Sequence, residues 1–153
     1  MIGRTGFKIA ATLAFSLSCA GAIAHSGATG IVAERMEAMK KIAGRMKEIG
    51  AMVRGKREYD AGAAAAAAAA IARHAGRMPS LFPEGSDGDP SEALPAIWTE
   101  WDDFIAFVEA LEASAAELSD AARQATDADA IRPHFATVGQ ACSACHEDFR
   151  MAD

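Results

Sequence analysis

The stretch ACSACHEDFR occupies residues 141–150 of the sequence. It holds Cys142 and Cys145, the two cysteines found after the first twenty residues, and His146 directly follows the second of them. Residues three and four apart on a helix lie on one face, so a helix here places both thiols and the imidazole together. Two thiols in this arrangement can add across the two vinyl groups of a haem while the imidazole reaches the iron. The C-x-x-C-H spacing therefore predicts one covalently attached haem c, with its iron, per chain.

Three other interpretations of the motif are weaker. A thioredoxin-like redox C-x-x-C belongs in a βαβ context, and no long stretch of this sequence alternates with the period of a strand. Structural zinc needs four ligands, and the sequence has no second pair of cysteines or histidines at a suitable spacing. With 3 cysteines and 4 histidines in 153 residues, coincidence produces the motif in roughly one or two sequences in a thousand.

Helical spacing of apolar residues extends outward from the motif. A fourth and last predicted helix runs from about Asp129 to Arg150, and Pro133 falls where a first helical turn tolerates proline. Its apolar stripe includes both cysteines: Ile131, Phe135, Val138, Cys142, Cys145 and Phe149. Because the cysteines lie on this stripe, we expect the haem inside the core that the helices form.

The third predicted helix carries an apolar stripe that steps by four and three residues without a gap. Its members are Ile97, Trp101, Phe104, Val108, Leu111, Ala115, Leu118 and Ala122. Before it, residues 78–95 are dense in Pro, Gly, Asp and Ser and form the longest connection in the sequence.

The first predicted helix runs from near Thr29 to about Arg54, with Gly55 as its stop. Its predicted buried stripe consists of Val32, Met36, Met39, Ala43, Met46, Gly50 and Val53. The second predicted helix spans roughly Tyr59 to Arg77 and includes eight consecutive alanines, whose small side chains permit close approach of a neighbouring helix. Four amphipathic helices with two short connections and one long one predict an all-α fold, an antiparallel four-helix bundle.

The first 24 residues have the pattern of a signal peptide. Arg4 and Lys8 precede an apolar run, and Ala-Ile-Ala at 22–24 gives the small-x-small pattern of a cleavage site. We expect cleavage after residue 24, so that residues 25–153 form one exported domain in a bacterial periplasm. An uncleaved membrane anchor is disfavoured because the apolar run falls short of the roughly 20 residues that a span needs. A lipoprotein anchored through Cys19 is disfavoured because a serine stands where leucine is usual.

The charge balance of the exported part is acidic. Removing Arg4 and Lys8 leaves 13 basic residues against 21 acidic ones, a formal charge of −8. This balance argues against nucleic acid or an anionic membrane surface as a partner. It suits a soluble protein whose partner presents a basic patch.

Several short motifs resemble the class II c-type cytochromes, that is, cytochrome c-prime and its low-spin relatives. They are ERMEAMKKI in the first helix, MVRGKREYDA at the first turn, LFPEGS and PAIW around the long connection, and CSACHEDFR at the end. The resemblance covers essentially the whole exported part, and the order and spacing of the motifs make it strong.

The resemblance implies roles for four residues. His146 matches the fifth iron ligand of the family, and Arg150 the arginine near the proximal side of the haem. Arg35 matches the arginine that approaches a haem propionate. Met39 matches the distal position, where low-spin members ligate iron with methionine and five-coordinate members hold an unligated apolar side chain. From the residues alone, Met39 is equally a core methionine and Arg150 a solvated arginine that favours the helix dipole.

Two functions follow from the resemblance. The first is periplasmic one-electron transfer, with His146 and Met39 as axial ligands and a soluble protein as redox partner. The second is binding of nitric oxide or carbon monoxide at a five-coordinate iron, with Met39 as a steric guard. An enzyme is not expected, because the first helix offers no acid–base pair near the distal position. The family also implies a homodimer formed through the first two helices.

Overall fold

The computed structural model describes residues 27–152 and confirms the predicted bundle. The helices are α1 (Gly30–Val53), α2 (Ala61–Ala75), α3 (Ala96–Thr99), α4 (Trp101–Gln124) and α5 (Ala128–Phe149). Helix α2 packs against α1 and α4, α5 packs against α4, and a smaller contact between α1 and α5 closes the ring. The predicted signal peptide lies outside the described residues. Within 27–152, no helix is both long and apolar enough to cross a membrane.

Helix α1 ends where the sequence predicts. Gly55 adopts a φ of +67°, and its N–H donates to the carbonyl of Met52 at 2.9 Å, which closes the last turn. The predicted stripe is buried at Gly50 and Val53, and its other members border the cavity described below: Val32, Met36, Met39, Ala43 and Met46. The sequence analysis missed a second, adjacent stripe with Ala38 and Ile42, which is also buried. Apolar side chains cover two adjacent stripes of α1, and periodicity alone does not distinguish them.

Helix α2 begins at a capped residue and buries alanine against its neighbours. The side chain of Asp60 accepts a hydrogen bond from the N–H of Ala63 at 2.9 Å, which satisfies one of the free donors of the first turn. Ala64 and Ala68 are fully buried. The hydroxyl of Ser119 on α4 donates to the carbonyl of Ala65 at 3.0 Å. A side chain of this size reaches the α2 backbone because alanines line the contact.

The third predicted helix is divided into α3 and α4. Glu100 separates them with φ −123° and ψ 46°, well outside the helical region. The predicted stripe is otherwise confirmed, since its members are buried except Trp101, which is half-buried.

Helix α5 starts earlier than the sequence predicts. Asp127 caps it by accepting hydrogen bonds from the N–H groups of Asp129 and Ala130, so the first helical residue is Ala128. Pro133 is the sixth residue of the helix, so it lies in the second turn and not, as predicted, in the first, and it removes one backbone hydrogen bond there. The predicted stripe is buried at Ile131, with its cysteines half-buried.

The long connection is partly ordered by local structure. It begins with a 3-10 turn at Met78–Leu81 and ends in a short antiparallel pairing with the residues that follow α5. In that pairing the N–H of Leu94 donates to the carbonyl of Phe149 at 3.0 Å, and the N–H of Met151 donates to the carbonyl of Glu92 at 2.9 Å.

Candidate haem site

A cavity of about 570 Å³ lies between α1, α4, α5 and the long connection. Every site residue predicted from the sequence borders it: Cys142, Cys145, His146, Met39, Arg35 and Arg150. They come from α1, from α5 and from the residue that follows α5, so the fold brings together positions more than a hundred residues apart. The volume is within the range of about 300–1,000 Å³ that is usual for ligand and cofactor pockets.

The thiols of Cys142 and Cys145 lie side by side on the cavity face of α5. Both are free and half-buried. Burial raises the pKa of Cys142, and burial together with the neighbouring Cys142 raises the pKa of Cys145 to about 11. The thiols are therefore protonated near neutral pH, and this protects them from oxidation. In the chain without haem, these thiols are therefore poor nucleophiles for disulfide exchange.

His146 follows on the same helix with an imidazole that favours its neutral form. Burial lowers its pKa, and Arg150 lowers it further, while Glu92 opposes the shift. Neutral imidazole is the form that binds a metal, because its ring nitrogen then has a free lone pair.

Helix α1 supplies one wall of the cavity. Met39 is half-buried there, and Met36 and Met46 of the same helix also border the cavity. Met39 and His146 thus border one cavity from two different helices.

Arg35 also borders the cavity, but its hydrogen bonds are already made. Its guanidinium donates to the carbonyls of Leu81 and Ser86 and to the hydroxyls of Ser86 and Ser91. These five bonds use all five of its N–H groups. The side chain is 5% exposed and lies 4.0 Å from the centre of the Phe82 ring. The predicted contact with a propionate therefore remains a prediction, and it would require Arg35 to exchange one of these bonds.

Arg150 is held in a similar way by the long connection. Its Nε donates to the carboxylate of Glu92 at 2.8 Å, and both side chains are partly exposed. Ser86, Ser91 and Glu92 were missed by the sequence analysis, because an irregular connection has no periodicity that assigns its polar residues to partners. Their occurrence within a segment of Pro, Gly, Asp and Ser was the available signal, and it indicated only a turn.

The walls of the cavity are apolar and rich in aromatic rings. The ring centres of Phe104 and Phe82 are 4.9 Å apart, and Phe149 meets Phe104 edge-on at 5.6 Å. A flat apolar macrocycle with two vinyl groups and a central metal needs apolar walls, two thiols and an axial nitrogen. Cys142, Cys145, His146 and these walls supply that set, so the residues fit a covalently attached haem.

Comparisons with known proteins support the same assignment. The family model described as Cytochrome C' matches residues 30–150. The chain is similar to cytochrome c-556 from Agrobacterium fabrum, with 36% identity over 148 residues that cover 94% of each chain. It is similar in structure to cytochrome c' from Rhodopseudomonas palustris, with a TM-score of 0.75, 29% identity and coverage of 82% of this chain and 99% of that one. A nitric oxide complex of a variant cytochrome c prime from Alcaligenes xylosoxidans matches with a TM-score of 0.71 and 29% identity, covering 80% of this chain and 94% of that one.

Proposed function

The chain belongs to the cytochrome c' family, whose members carry covalently attached haem c, and on this premise we propose that it is a periplasmic one-electron carrier. In this proposal Cys142 and Cys145 hold the haem, His146 is the proximal ligand and Met39 the distal ligand. The observation that carries the proposal is that Met39 borders, from α1, the same cavity that His146 borders from α5.

Two protein ligands to one iron make the site suited to carrying an electron. The haem supplies one-electron oxidation and reduction of its iron. His146 and Met39 together would leave no coordination position for a substrate, and a thioether ligand tends to raise the reduction potential. The apolar side chains around the cavity would limit contact between water and a haem bound there.

A catalytic role is not part of the proposal. In the described part of α1, neither a histidine nor a carboxylate borders the cavity. A peroxidase-type reaction needs an acid–base pair on that side, so the distal wall supports a carrier rather than an enzyme.

The cellular location and the redox partner are also part of the proposal. We propose that residues 1–24 are removed on export and that residues 25–153 work in the periplasm. The redox partner is a soluble protein that meets the haem edge through a small transient interface. The homodimer that the family implies, through the first two helices, would have to overcome repulsion between the basic side chains of that region.

The second candidate function is binding of a diatomic gas at a five-coordinate iron. It is favoured by the structural similarity to a cytochrome c prime whose nitric oxide complex has been solved. In that case Met39 would be an unligated side chain that limits access to the iron, and the apolar wall of α1 would select ligands by size.

Visible absorption spectra of the holoprotein distinguish the two functions. Oxidised and reduced protein would be measured with and without carbon monoxide, for the wild type, Met39→Ala and the matched control Met36→Ala. Met36 borders the same cavity from the same helix and is also half-buried, so the control repeats the loss of a thioether one turn away.

We expect sharp low-spin bands that carbon monoxide does not shift in the wild type and in Met36→Ala. Met39→Ala should lose these bands and respond to carbon monoxide. A broad high-spin spectrum of the wild type that shifts with carbon monoxide would contradict ligation by Met39 and make gas binding the leading function.

A further inference from the structure

Residues 81–94, here called the strap, connect the two sides of the cavity. One end of the strap is tied to α1 and the other to the residues that follow α5. The direct contact between α1 and α5 is small compared with the contacts of the other neighbouring helices. The hydrogen bonds of the strap therefore add to the small direct contact between α1 and α5.

Arg35 forms the tie to α1. Its Nε and Nη2 donate to the carbonyl of Leu81 at 3.1 and 3.0 Å, and its Nη1 donates to the carbonyl of Ser86 at 3.1 Å and to the hydroxyl of Ser91 at 2.9 Å. These partners are 46 to 56 residues away in sequence. A planar guanidinium with five donors can hold such a set, whereas the ammonium of lysine cannot reproduce its geometry.

The burial of Arg35 shows that this tie is a central part of the local structure. A guanidinium that is 5% exposed must satisfy its donors within the protein, and the partners here are neutral carbonyls and hydroxyls. Burial lowers its pKa, and the nearest opposing influence is the charge of Asp87, which itself belongs to the strap. Both the hydrogen bonds and the charge of Arg35 are therefore directed at the strap.

The other end of the strap is tied to the chain beyond α5. Glu92 and Leu94 pair with residues 149–151 through two backbone hydrogen bonds, and Glu92 also forms the ion pair with Arg150. The indole N–H of Trp98 donates to the carbonyls of Phe82 and Pro83, each at 3.0 Å, which fixes the strap against α3 as well.

We propose that Arg35 is a positioning residue that holds the strap closed over the cavity and thereby limits access of external ligands to the iron. The strap borders the cavity at Phe82, Pro90 and Ser91, so its displacement opens the cavity wall. This role differs from the propionate contact that the family resemblance implies, and it does not depend on whether Met39 ligates the iron.

The test uses holoprotein variants that separate the hydrogen bonds between Arg35 and the strap from the charge of Arg35. Ser86→Ala combined with Ser91→Ala removes both hydroxyl acceptors and leaves the guanidinium intact. It also removes two bonds within the strap, from the Ser86 hydroxyl to the carbonyl of Pro83 and from the N–H of residue 93 to Ser91, so the effect of Arg35 itself is read from Arg35→Lys. Arg35→Lys keeps the positive charge but loses the planar guanidinium with its five N–H donors. Ser119→Ala is the matched control, because it also loses a buried hydroxyl–carbonyl hydrogen bond, but one between α4 and α2. All variants carry Met39→Ala, so that the sixth ligand does not limit the rate.

Two quantities would be measured well below the unfolding temperature of every variant. Hydrogen exchange of the hydrogen-bonded amides of residues 91, 94 and 151 reports opening of the strap. The association rate of carbon monoxide with the reduced iron reports access to the cavity. We expect both to rise about tenfold in the double serine variant and in Arg35→Lys, since lost hydrogen bonds raise the open population, and to stay unchanged in Ser119→Ala.

Either of two results would overturn the proposal. If the double serine variant exchanges and binds carbon monoxide like its parent, the hydrogen bonds of Arg35 do not control access. If instead Arg35→Lys alone changes the pH dependence of the reduction potential, with exchange unaltered, Arg35 acts on a propionate. Neither result bears on the spectra that test ligation by Met39.

Discussion

At the scale of single residues, conformation and burial decide what each side chain near the site can do. The thiols of Cys142 and Cys145 are kept protonated by burial, and the guanidinium of Arg35 is fully engaged by the strap. Gly55 is a third case, because its positive φ suits glycine and strains any residue with a Cβ.

Substituting Gly55 tests how α1 ends. Gly55→Ala should lower the free energy of unfolding by about 1–2 kcal/mol, because the left-handed conformation costs an ordinary residue that much. Gly44→Ala is the matched control, since Gly44 is exposed within α1 and a Cβ there meets nothing within 4 Å. The control should gain up to about 1 kcal/mol from better helix propensity. Denaturant unfolding of the holoprotein, followed by far-UV circular dichroism, gives both values. Equal stability of Gly55→Ala and the wild type would show that the turn relaxes without strain.

Spacing along one helix predicts part of the site, and the rest needs tertiary contacts. Cys142, Cys145 and His146 could be assigned from C-x-x-C-H because attachment chemistry fixes that spacing. Met39 and Arg35 were assigned by resemblance to a family, and the structure places both at the cavity. The partners of Arg35 could not be predicted, because a hydrogen bond across more than forty residues has no local signal.

At the scale of elements, the close contact between α2 and α4 depends on small side chains. Ala64, Ala68 and Ala75 of α2 have no exposed surface, and Leu118 and Ala122 of α4 are likewise fully buried. A contact built from such small residues has little room for added volume.

Enlarging one alanine of α2 tests this packing. Ala68→Leu should destabilise the holoprotein by about 1–3 kcal/mol, because added methylene groups in a close-packed core force neighbours apart. Ala66→Leu is the control, since Ala66 lies two residues earlier on the exposed face of the same helix. Its effect should stay within about 0.5 kcal/mol. The midpoint of thermal unfolding of the two variants checks the difference, and similar losses in both would mean that helix propensity rather than packing is responsible.

The helices also show which features of the fold cannot be predicted from the periodicity of apolar residues. The four long helices were predicted because their apolar residues repeat at helical spacing. The predicted stripe of α1 borders the cavity, and the second buried stripe, with Ala38 and Ile42, was missed because periodicity does not separate two adjacent apolar stripes. The break at Glu100 was missed because the apolar stripe continues across it.

At the scale of the whole molecule, charge is divided unequally along the chain. Residues 30–77, which form α1 and α2, hold 10 basic and 5 acidic side chains, whereas residues 78–152 hold 3 basic and 15 acidic ones. Burial lowers the pKa of His74 in α2, and four nearby basic side chains lower it further. They are Lys41 and Arg45 of α1, Arg73 near the end of α2, and Arg77 just beyond it. The first two helices therefore share a positive face on an acidic protein.

This charge distribution predicts the oligomeric state. A two-fold interface places the same patch on both subunits, so a dimer through α1 and α2 would bring these cations together. We expect a monomer at low ionic strength, measured by analytical ultracentrifugation of the holoprotein. Added salt should favour any dimer through this face by screening the repulsion. A dimer that is stable at low salt and dissociates when salt is added would contradict this expectation and point to a different interface.

The position of the cavity has a consequence for how the molecule is made. Its walls come from α1, α4, α5 and the strap, so a haem bound there would complete the apolar centre of this bundle. Binding that completes a core is coupled to folding, because the energy of burial is gained only when the group is in place. We therefore expect a chain without haem to expose these apolar walls, to unfold at a lower temperature and to be cleaved by proteases faster than the holoprotein.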